Sequence, residues 1–243
     1  MREERAVAAQ GPEAGDAAPA PAAALAPAAA SAAPAPADAA AARDARVVAC
    51  AADLFLSYGL QAVRMTDIAE AAGVGVATLY RRFSTKTRIA VEAATLLWHR
   101  FNERIVDLVE SDRFLAMDGA ERLETLLAEY AAHYVANRAF VSFVDEFDHL
   151  VLKEGLTPEQ LAAYGREVDS FYLIFEDAYR LGVADGSVRA IGDFRTFYRS
   201  VAHSLMGLAE KLFRGDVIPS DDFRQASKEL DCLVDMAVRY IRL

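Results

Sequence analysis

The sequence predicts an all-α fold in which a three-helix unit precedes a larger helical body. After Pro36, prolines occur only at Pro158 and Pro219. Apolar side chains recur every three or four residues over long stretches, the spacing that buries one face of a helix. Alternation with a period of two, which would indicate strands, is rare. Together these observations favour helices throughout the chain.

Residues 1–42 differ from the rest of the chain in composition. They contain 22 alanines and six of the eight prolines, with almost no large apolar side chain. Such a segment buries too little surface to offset the entropy lost on ordering, so we predict a disordered Ala/Pro-rich tail. The predicted domains that follow are 43–88 for the three-helix unit and 89–243 for the body.

Neither export nor membrane insertion is expected. Acidic residues interrupt the N-terminal segment, unlike a secretory signal, and no window offers about 18 uninterrupted apolar residues. Cys50 and Cys232 stand far apart without metal-type spacing and are expected to be reduced thiols. The expected location is therefore cytoplasmic.

Turn residues define the three-helix unit. The first predicted helix ends at Gly59. Thr66 is the predicted N-cap of a second, short helix that Gly73 stops, and a third helix begins near Gly75 and ends near Arg82. The second and third helices are joined by only two or three residues including a glycine, the proportions of a helix-turn-helix.

Six more helices are predicted in the body, which makes nine. Their capping and stop signals are Ser84 or Thr85 before the fourth, Asn137 before the sixth, Thr157-Pro158 and Gly182 at the two ends of the seventh, Asp193 before the eighth, and Asp221 or Asp222 before the ninth.

Positive charge is confined to one part of an acidic chain. The formal net charge is -10, yet residues 43–88 hold seven Lys or Arg against four Asp or Glu, a net of +3. Residues 1–42 and 89–243 carry -3 and -10. A compact cationic segment can contact phosphates even when the whole protein is acidic. Charge alone leaves a solvated helix face open as the alternative.

The third predicted helix has residue types that DNA binding requires. A helix that enters the major groove needs small residues near its start, with hydroxyl and cationic groups beside them. The small residues are Gly75, Ala77 and Thr78, and the second group is Thr66, Tyr80, Arg81, Arg82 and Lys86. A helical hairpin at the corner of a bundle is the structural alternative.

The stretch from Thr66 to Lys86, TDIAEAAGVGVATLYRRFSTK, closely resembles the DNA-binding signature of TetR-type transcriptional regulators. The resemblance covers about residues 43–95, and the length and helix number of the rest agree with it. It implies a homodimer whose helix-turn-helix reads a palindromic double-stranded DNA operator while a divergent C-terminal domain senses a small molecule. The implied function is a ligand-responsive transcriptional repressor.

Residue roles follow from the resemblance by position. Thr66 corresponds to a cap that also meets a phosphate, Tyr80 to a backbone-contacting tyrosine, and Lys86 to a phosphate-binding lysine. Leu79 and Phe83 correspond to packing residues. Gly75 in place of a serine cap and Ala77 in place of a glycine leave the base contacts open. The predicted DNA-binding set is Arg64, Thr66, Gly75, Val76, Ala77, Thr78, Tyr80, Arg81, Arg82 and Lys86.

The body is dense in aromatic residues, which suit an apolar or aromatic effector, although core packing is the default role of each. The predicted effector pocket is Trp98, Phe101, Tyr130, Tyr134, Phe143, Phe147, Phe171 and Phe175. Apolar stripes on the last two helices predict a four-helix dimer interface made by Val201, Leu205, Leu208, Leu212, Leu230, Leu233 and Ala237. The alternative is that these stripes seal the core of their own subunit.

A helical-bundle di-metal carboxylate enzyme is the alternative from another class. Glu146 and His149 have the Glu-x-x-His spacing of such bundles, but the architecture needs two such motifs. His99, His133 and His203 have no acidic residue three positions earlier. Neither a nucleophile elbow nor a phosphate-binding glycine loop occurs, so we expect no cofactor and no enzymatic activity.

Overall fold

The computed structural model describes residues 36–214 and 223–243, and these residues are predominantly α-helical. Within them lie ten α-helices: α1 (Pro36–Tyr58), α2 (Met65–Ala72), α3 (Val76–Phe83), α4 (Lys86–Val109), α5 (Asp112–Leu115), α6 (Gly119–Ala136), α7 (Arg138–Glu154), α8 (Ala162–Asp185), α9 (Phe194–Arg214) and α10 (Ala226–Ile241). A short 3-10 helix, Phe223–Gln225, precedes α10. In the described ranges the only β-type pairing is one isolated bridge, between Val188 and Arg242. The all-α prediction is confirmed.

The first helix begins earlier than predicted. The predicted disordered tail extends to residue 42, whereas α1 begins at Pro36, so residues 36–42 are helical. The alanines of this stretch have the highest intrinsic helix propensity, which lets α1 extend by about two turns. The rest of the predicted tail, residues 1–35, lies outside the described residues. The same is true of Asp221 and Asp222, the predicted start of the last helix.

Turn and cap residues set several helix ends as predicted. Gly59 and Gly73 follow α1 and α2 with φ of 81° and 64°. Thr85 caps α4, because its hydroxyl accepts the backbone N–H of residue 88 at 3.2 Å. Asp193 does the same for α9, accepting the N–H of residue 196 at 2.9 Å. The four-residue helix α5 carries too short a pattern to be predicted from periodicity.

Both predicted ends of α8 are wrong. Thr157 caps a separate turn, in which its N–H donates to Gln160 Oε1 at 2.8 Å, and the helix begins only at Ala162. At the other end α8 continues through Gly182 to Asp185. Local signals for a cap and a stop are present at both positions, but tertiary packing decides where the helix runs.

Gly182 is a packing glycine rather than a helix stop. The start of α6 crosses α8 so closely that a Cβ on Gly119 would lie 2.1 Å from the Cα of Gly182. A Cβ on Gly182 would in turn lie 2.5 Å from a methyl group of Val188. The two glycines therefore let the two helix backbones touch.

The helix α4 belongs to both predicted domains. It packs against α1 in the three-helix unit and against α8 in the body, while α6 packs against α8 and α10. Residues 36–243 form one compact unit. The predicted boundary between residues 88 and 89 falls inside α4, so it does not separate two independently packed bodies.

Most of the predicted interface residues are buried within the single chain. Five of them are 8% exposed or less: Val201, Leu205, Leu212, Leu230 and Ala237. The interface prediction is wrong for these five, because they already pack α9 and α10 into the core of their own subunit. Leu208 and Leu233 are partly exposed and keep a surface that a second subunit could contact.

Candidate nucleic-acid interface

A tight turn that depends on glycine joins α2 to α3. Gly73 adopts the left-handed conformation, with φ 64° and ψ 39°, and its N–H bonds back to the carbonyl of Glu70 at 3.1 Å. A side chain at this backbone conformation would be strained even though nothing else stands in the way. Gly75 follows as the N-cap residue of α3. These two short helices have the predicted helix-turn-helix proportions.

The N-cap of α2 is Arg64 rather than Thr66. The Asp67 carboxylate accepts the backbone N–H of Arg64 at 2.9 Å and its guanidinium at 2.9 Å. The side-chain hydrogen bond from Arg64 is the largest cause that lowers the pKa of Asp67. Thr66 lies within the first turn, exposed, and its hydroxyl donates to Asp67 at 3.3 Å. The predicted capping role of Thr66 is therefore wrong, while its exposed hydroxyl keeps the predicted phosphate contact possible.

The third helix has one buried face and one exposed face. Leu79 and Phe83 are 1% and 2% exposed and pack into the core, which confirms their predicted role. Val76 and Tyr80 lie on the opposite face and are 38% and 50% exposed. Because residues 76, 77, 80 and 81 are neighbours on one side of a helix, they form a continuous exposed surface.

Two of the predicted DNA-binding cations have partners within the protein. Arg82, whose side chain is 60% exposed, forms an ion pair with Asp44 of α1. The Nζ of Lys86 donates to the carbonyl oxygens of residues 60, 61 and 63 at 2.9, 3.3 and 3.0 Å. All three ammonium protons are used in this way, so Lys86 holds the turn between α1 and α2. The phosphate contact of Lys86 stays a prediction, and it requires that one of these bonds be exchanged.

The remaining predicted residues form the α3 surface, defined as Gly75, Val76, Ala77, Tyr80 and Arg81, all of them exposed. Thr78 is partly exposed beside this surface, and its Oγ1 lies 3.5 Å from Nη2 of Arg81. The Arg64 side chain, 79% exposed, lies at the start of α2 and is paired with Asp67. The α3 surface thus has small side chains at its beginning and a cationic side chain, Arg81, at its end.

A strained residue joins α3 to α4. Ser84 has φ 63° and ψ -50°, and it is the one non-glycine residue with positive φ in the described part of the chain. The N–H of Thr85 donates to the carbonyl of Phe83 at 2.7 Å, which closes a three-residue γ-turn. Such a conformation costs on the order of 1–3 kcal/mol, so the surrounding packing must hold it. The sequence carries no signal for this strain.

The body contains an aromatic cavity of about 390 Å³ between α4, α6, α7, α8 and α9. Four of the predicted pocket residues line this aromatic cavity: Trp98, Tyr130, Tyr134 and Phe171. The other four, Phe101, Phe143, Phe147 and Phe175, do not line it and are 2% exposed or less, so their place in an effector pocket stays a prediction. Their rings pack against other rings instead, as Phe143 does on Phe55 at 6.0 Å.

Charged residues at the rim of the aromatic cavity are absent from the predicted set. They are Asp148 on α7, Asp169 on α8, and Arg195, Arg199 and His203 on α9, all exposed. The four-residue spacing along α9 is the signal that could have placed its three members on one helix face. Only the packing of three helices brings them to the same opening.

A larger and more open groove, of about 1140 Å³, lies between α1, the first half of α4 and the segment that joins α7 to α8. It contains none of the predicted pocket residues. Binding sites for small molecules enclose most of the surface of the ligand. The smaller, more enclosed aromatic cavity is therefore the better candidate for an effector.

Comparison with known proteins agrees with this geometry. Residues 47–93 match the family described as "Bacterial regulatory proteins, tetR family". A curated relative, the HTH-type transcriptional repressor KstR2 of Rhodococcus jostii (strain RHA1), is 29% identical over 159 residues, which are 65% of this chain and 73% of that protein. Residues 47–93 belong to the TetR family.

Solved structures support the same fold for this TetR-family regulator. A transcriptional regulator from Saccharomonospora viridis in complex with choline is 21% identical, with a TM-score of 0.64 over 84% of this chain and 99% of that one. A TetR transcription regulator from Haloarcula marismortui is 15% identical, with a TM-score of 0.67 over 84% of this chain and all of the other. At these identities the likeness concerns the fold alone.

The di-metal alternative gains no support in this TetR-family chain. Glu146 accepts the backbone N–H of Gln61 at 3.1 Å, and His149 Nδ1 lies 2.7 Å from the carbonyl oxygen of Asp145. Within residues 36–214 and 223–243, no cluster of three or more His, Cys, Asp or Glu residues could hold a metal ion. The relatives are transcription regulators and not enzymes.

The helices in the described part of the chain include none with the length and apolar character needed to cross a membrane.

Proposed function

We propose that this TetR-family regulator is a cytoplasmic repressor that binds a palindromic DNA operator as a homodimer and is released by a small molecule. The α3 surface carries this proposal, because it stays exposed while Leu79 and Phe83 anchor the opposite face in the core. We assign DNA binding to residues 43–88, and effector sensing and dimerisation to residues 89–243. The repressor relative supports the direction of regulation.

In the proposed complex, the α3 surfaces of two subunits enter successive major grooves about one helical turn of DNA apart. Gly75 and Ala77 let the backbone approach the base edges, and Arg81 is positioned to donate to bases or phosphates. The hydroxyl groups of Tyr80 and Thr66 contact phosphates on either side. Arg82 acts indirectly, because its ion pair with α1 orients α3.

We propose that the dimer interface lies on the outer faces of α9 and α10. Met236 and Tyr240 are 56% and 54% exposed, and Tyr240 stacks on Phe197 of α9 with ring centroids 5.7 Å apart. Gly207 has no side chain on the outer face of α9, and a Cβ built there would meet nothing within 4 Å. A second subunit could therefore approach the backbone of α9 closely at this point. Exposed apolar residues on neighbouring helices, as here, are typical of an interface between subunits.

The helix α7 offers a route from the aromatic cavity to the DNA-binding unit. Val144 and Asp148 line the cavity. On the same helix Phe143 stacks on a phenylalanine of α1 at 6.0 Å, and Glu146 accepts the N–H of residue 61 in the turn before α2. A ligand that favours one position of α7 over another would therefore move that turn, and with it α3.

Equilibrium binding to DNA tests the proposal. The probe is the fragment that the protein selects from its own genome, and the affinity should fall steeply with salt because phosphate contacts release counterions. Tyr80→Ala should weaken binding about tenfold, the loss of one hydrogen bond with its packing. The matched control is Tyr58→Ala, on α1, where the side chain is 69% exposed and outside the α3 surface. A DNA affinity that does not depend on salt concentration, or an equal loss of affinity in the two variants, would contradict the proposal.

Sedimentation tests the interface. Met236→Glu should shift the protein toward the monomer, because it introduces a charge in the middle of an apolar contact. Leu152→Glu is the control, since Leu152 is 82% exposed on α7 and is not part of the proposed interface. A dimer that dissociates equally in both variants, or in neither, would place the interface elsewhere.

A further inference from the structure

The aromatic cavity contains a buried hydrogen-bond donor that no acceptor satisfies with good geometry. Trp98 is 6% exposed and lines the cavity. Its indole Nε1 is buried with no acceptor in hydrogen-bond geometry. The hydroxyl of Tyr164, another lining residue, is its nearest candidate partner: burial raises the pKa of Tyr164, and the indole N–H opposes that rise. An indole N–H can only donate, so a ligand that satisfies it must supply an acceptor such as a carbonyl or carboxylate oxygen.

Several other polar groups of the cavity already have partners. The hydroxyls of Tyr130 and Tyr198 bond to each other at 3.2 Å, and the hydroxyl of Tyr172 donates to Glu176 at 2.9 Å. The lining also includes the hydroxyls of Tyr134 and Tyr164, beside apolar side chains such as Phe171 and Val144. A volume of about 390 Å³ lies within the range of cavities that hold small organic molecules.

The rim has a positive side and a negative side. On α9, Arg195 and Arg199 stand one turn apart and form no ion pair with a described residue, although Arg195 lies over the Tyr172 ring at 4.1 Å. Asp148 and Asp169 stand on α7 and α8. A guanidinium binds a carboxylate through two parallel hydrogen bonds. An anionic group is therefore favoured at the α9 side of the rim and disfavoured at the other side.

We propose that the effector is an organic carboxylate with an apolar, acceptor-bearing body, seated with its body against Trp98 and its carboxylate at Arg199 and Arg195. This inference rests on the proposed function in one respect, namely that the body of this regulator senses a small molecule. The carboxylate class follows from three donors: the Trp98 N–H in the interior, and the guanidinium groups of Arg195 and Arg199 on the α9 side, which form no ion pair with a described residue.

Trp98 is the only tryptophan of the chain, so its fluorescence reports on this cavity alone. The probes are three compounds that differ only in the head group, carry an ether oxygen as the acceptor in the body and do not absorb near the indole band: 4-(cyclohexyloxy)butanoate, its primary amide and 4-(cyclohexyloxy)butylammonium. Titration of the full chain should give a saturable change in Trp98 emission, tightest for the acid, weaker for the amide and weakest for the ammonium. An ammonium that binds as tightly as the acid, or no saturable change with any probe, would overturn the proposal.

Two substitutions of opposite sign separate recognition from folding. Arg199→Gln should weaken binding of the acid roughly three- to tenfold and leave the affinity for the amide unchanged, because an exposed charge-assisted pair is lost. Asp169→Asn should increase the affinity for the acid roughly threefold, since a negative charge that repels the carboxylate is removed from the rim. Arg166→Gln is the control: Arg166 is an exposed arginine of α8 that does not line the cavity. A preference for the acid that survives Arg199→Gln would refute the assigned seat of the carboxylate.

These titrations need no DNA, so their outcome is independent of operator binding. Selective binding of the acid by a protein that nevertheless stays on its DNA fragment would preserve the carboxylate site and refute release by a ligand. If the protein binds DNA but none of the probes changes the Trp98 emission, the carboxylate site is refuted and the proposed DNA binding stands.

Discussion

Acid is expected to destabilise this protein through one buried histidine. His133 of α6 is 7% exposed and stacks on Phe101 with ring centroids 3.9 Å apart. Its Nδ1 lies 3.2 Å from Arg104 Nη1 and 3.1 Å from Asn137 Nδ2. Both neighbours can only donate, so Nδ1 accepts and the ring proton stands on Nε2, which is buried without a partner. Burial, and then the positive charge of Arg104, lowers the pKa of His133 from 6.5 to about 4.

The direction of the pH effect on stability follows from the number of protons that His133 binds in the folded and in the unfolded state. Between pH 6.5 and about 4 the unfolded chain binds a proton at residue 133 that the folded protein does not bind. The free energy of unfolding therefore decreases as the pH falls through this range. Each pH unit contributes about 1.4 kcal/mol, so the full loss is about 3 kcal/mol, complete below the folded pKa.

Urea unfolding at a series of pH values measures this loss. The wild type and His133→Phe both titrate their carboxyl groups, but only the wild type has the histidine contribution, so its stability should fall by about 2 kcal/mol more between about pH 7 and pH 4.5. His149→Phe is the control, because the His149 side chain is 73% exposed. The reasoning is refuted if His133→Phe keeps the pH dependence of the wild type.

Two further substitutions test packing near the site. Lys86→Met should lower the free energy of unfolding by about 1–3 kcal/mol, because three carbonyl oxygens lose their donor, whereas Lys153→Met at the end of α7 should have little effect in the same urea titration. A neutral Lys86→Met would contradict its role in holding the turn. Gly182→Ala should cost about 1–3 kcal/mol through overpacking, while Gly165→Ala, also in α8 but with open space around it, should stabilise by about 0.5–1 kcal/mol. Equal effects at the two glycines would exclude the close contact with α6.

The helix-turn-helix could be predicted because its determinants are local. Gly73 needs a conformation that other residues resist, and the spacing of Leu79 and Phe83 places both on one face of a short helix. Neither signal depends on distant residues. The same local reasoning failed at Thr66, because a neighbouring carboxylate, Asp67, accepted the N–H of Arg64 and moved the cap by two residues.

The candidate effector site shows the limit of sequence patterns. Trp98 and Phe101 lie in the same helix and the same apolar stripe, yet one lines the aromatic cavity and the other stacks on His133. Periodicity reports which face of a helix is buried, not which neighbour it is buried against. The charged rim could not be found either, because Asp148, Asp169 and Arg199 come from three different helices.

The sequence by itself determined the helical class, the position of the helix-turn-helix and the confinement of positive charge to its surroundings, since each depends on residues a few positions apart. The tertiary structure alone decided which cations have partners within the protein and which apolar residues are buried in the core of their own subunit. It also decided that the indole N–H of Trp98 lies at a cavity. The physical reason is that burial and hydrogen bonding are settled between helices, and the Lys86 ammonium meets its three carbonyl oxygens only once α4 lies against the turn after α1.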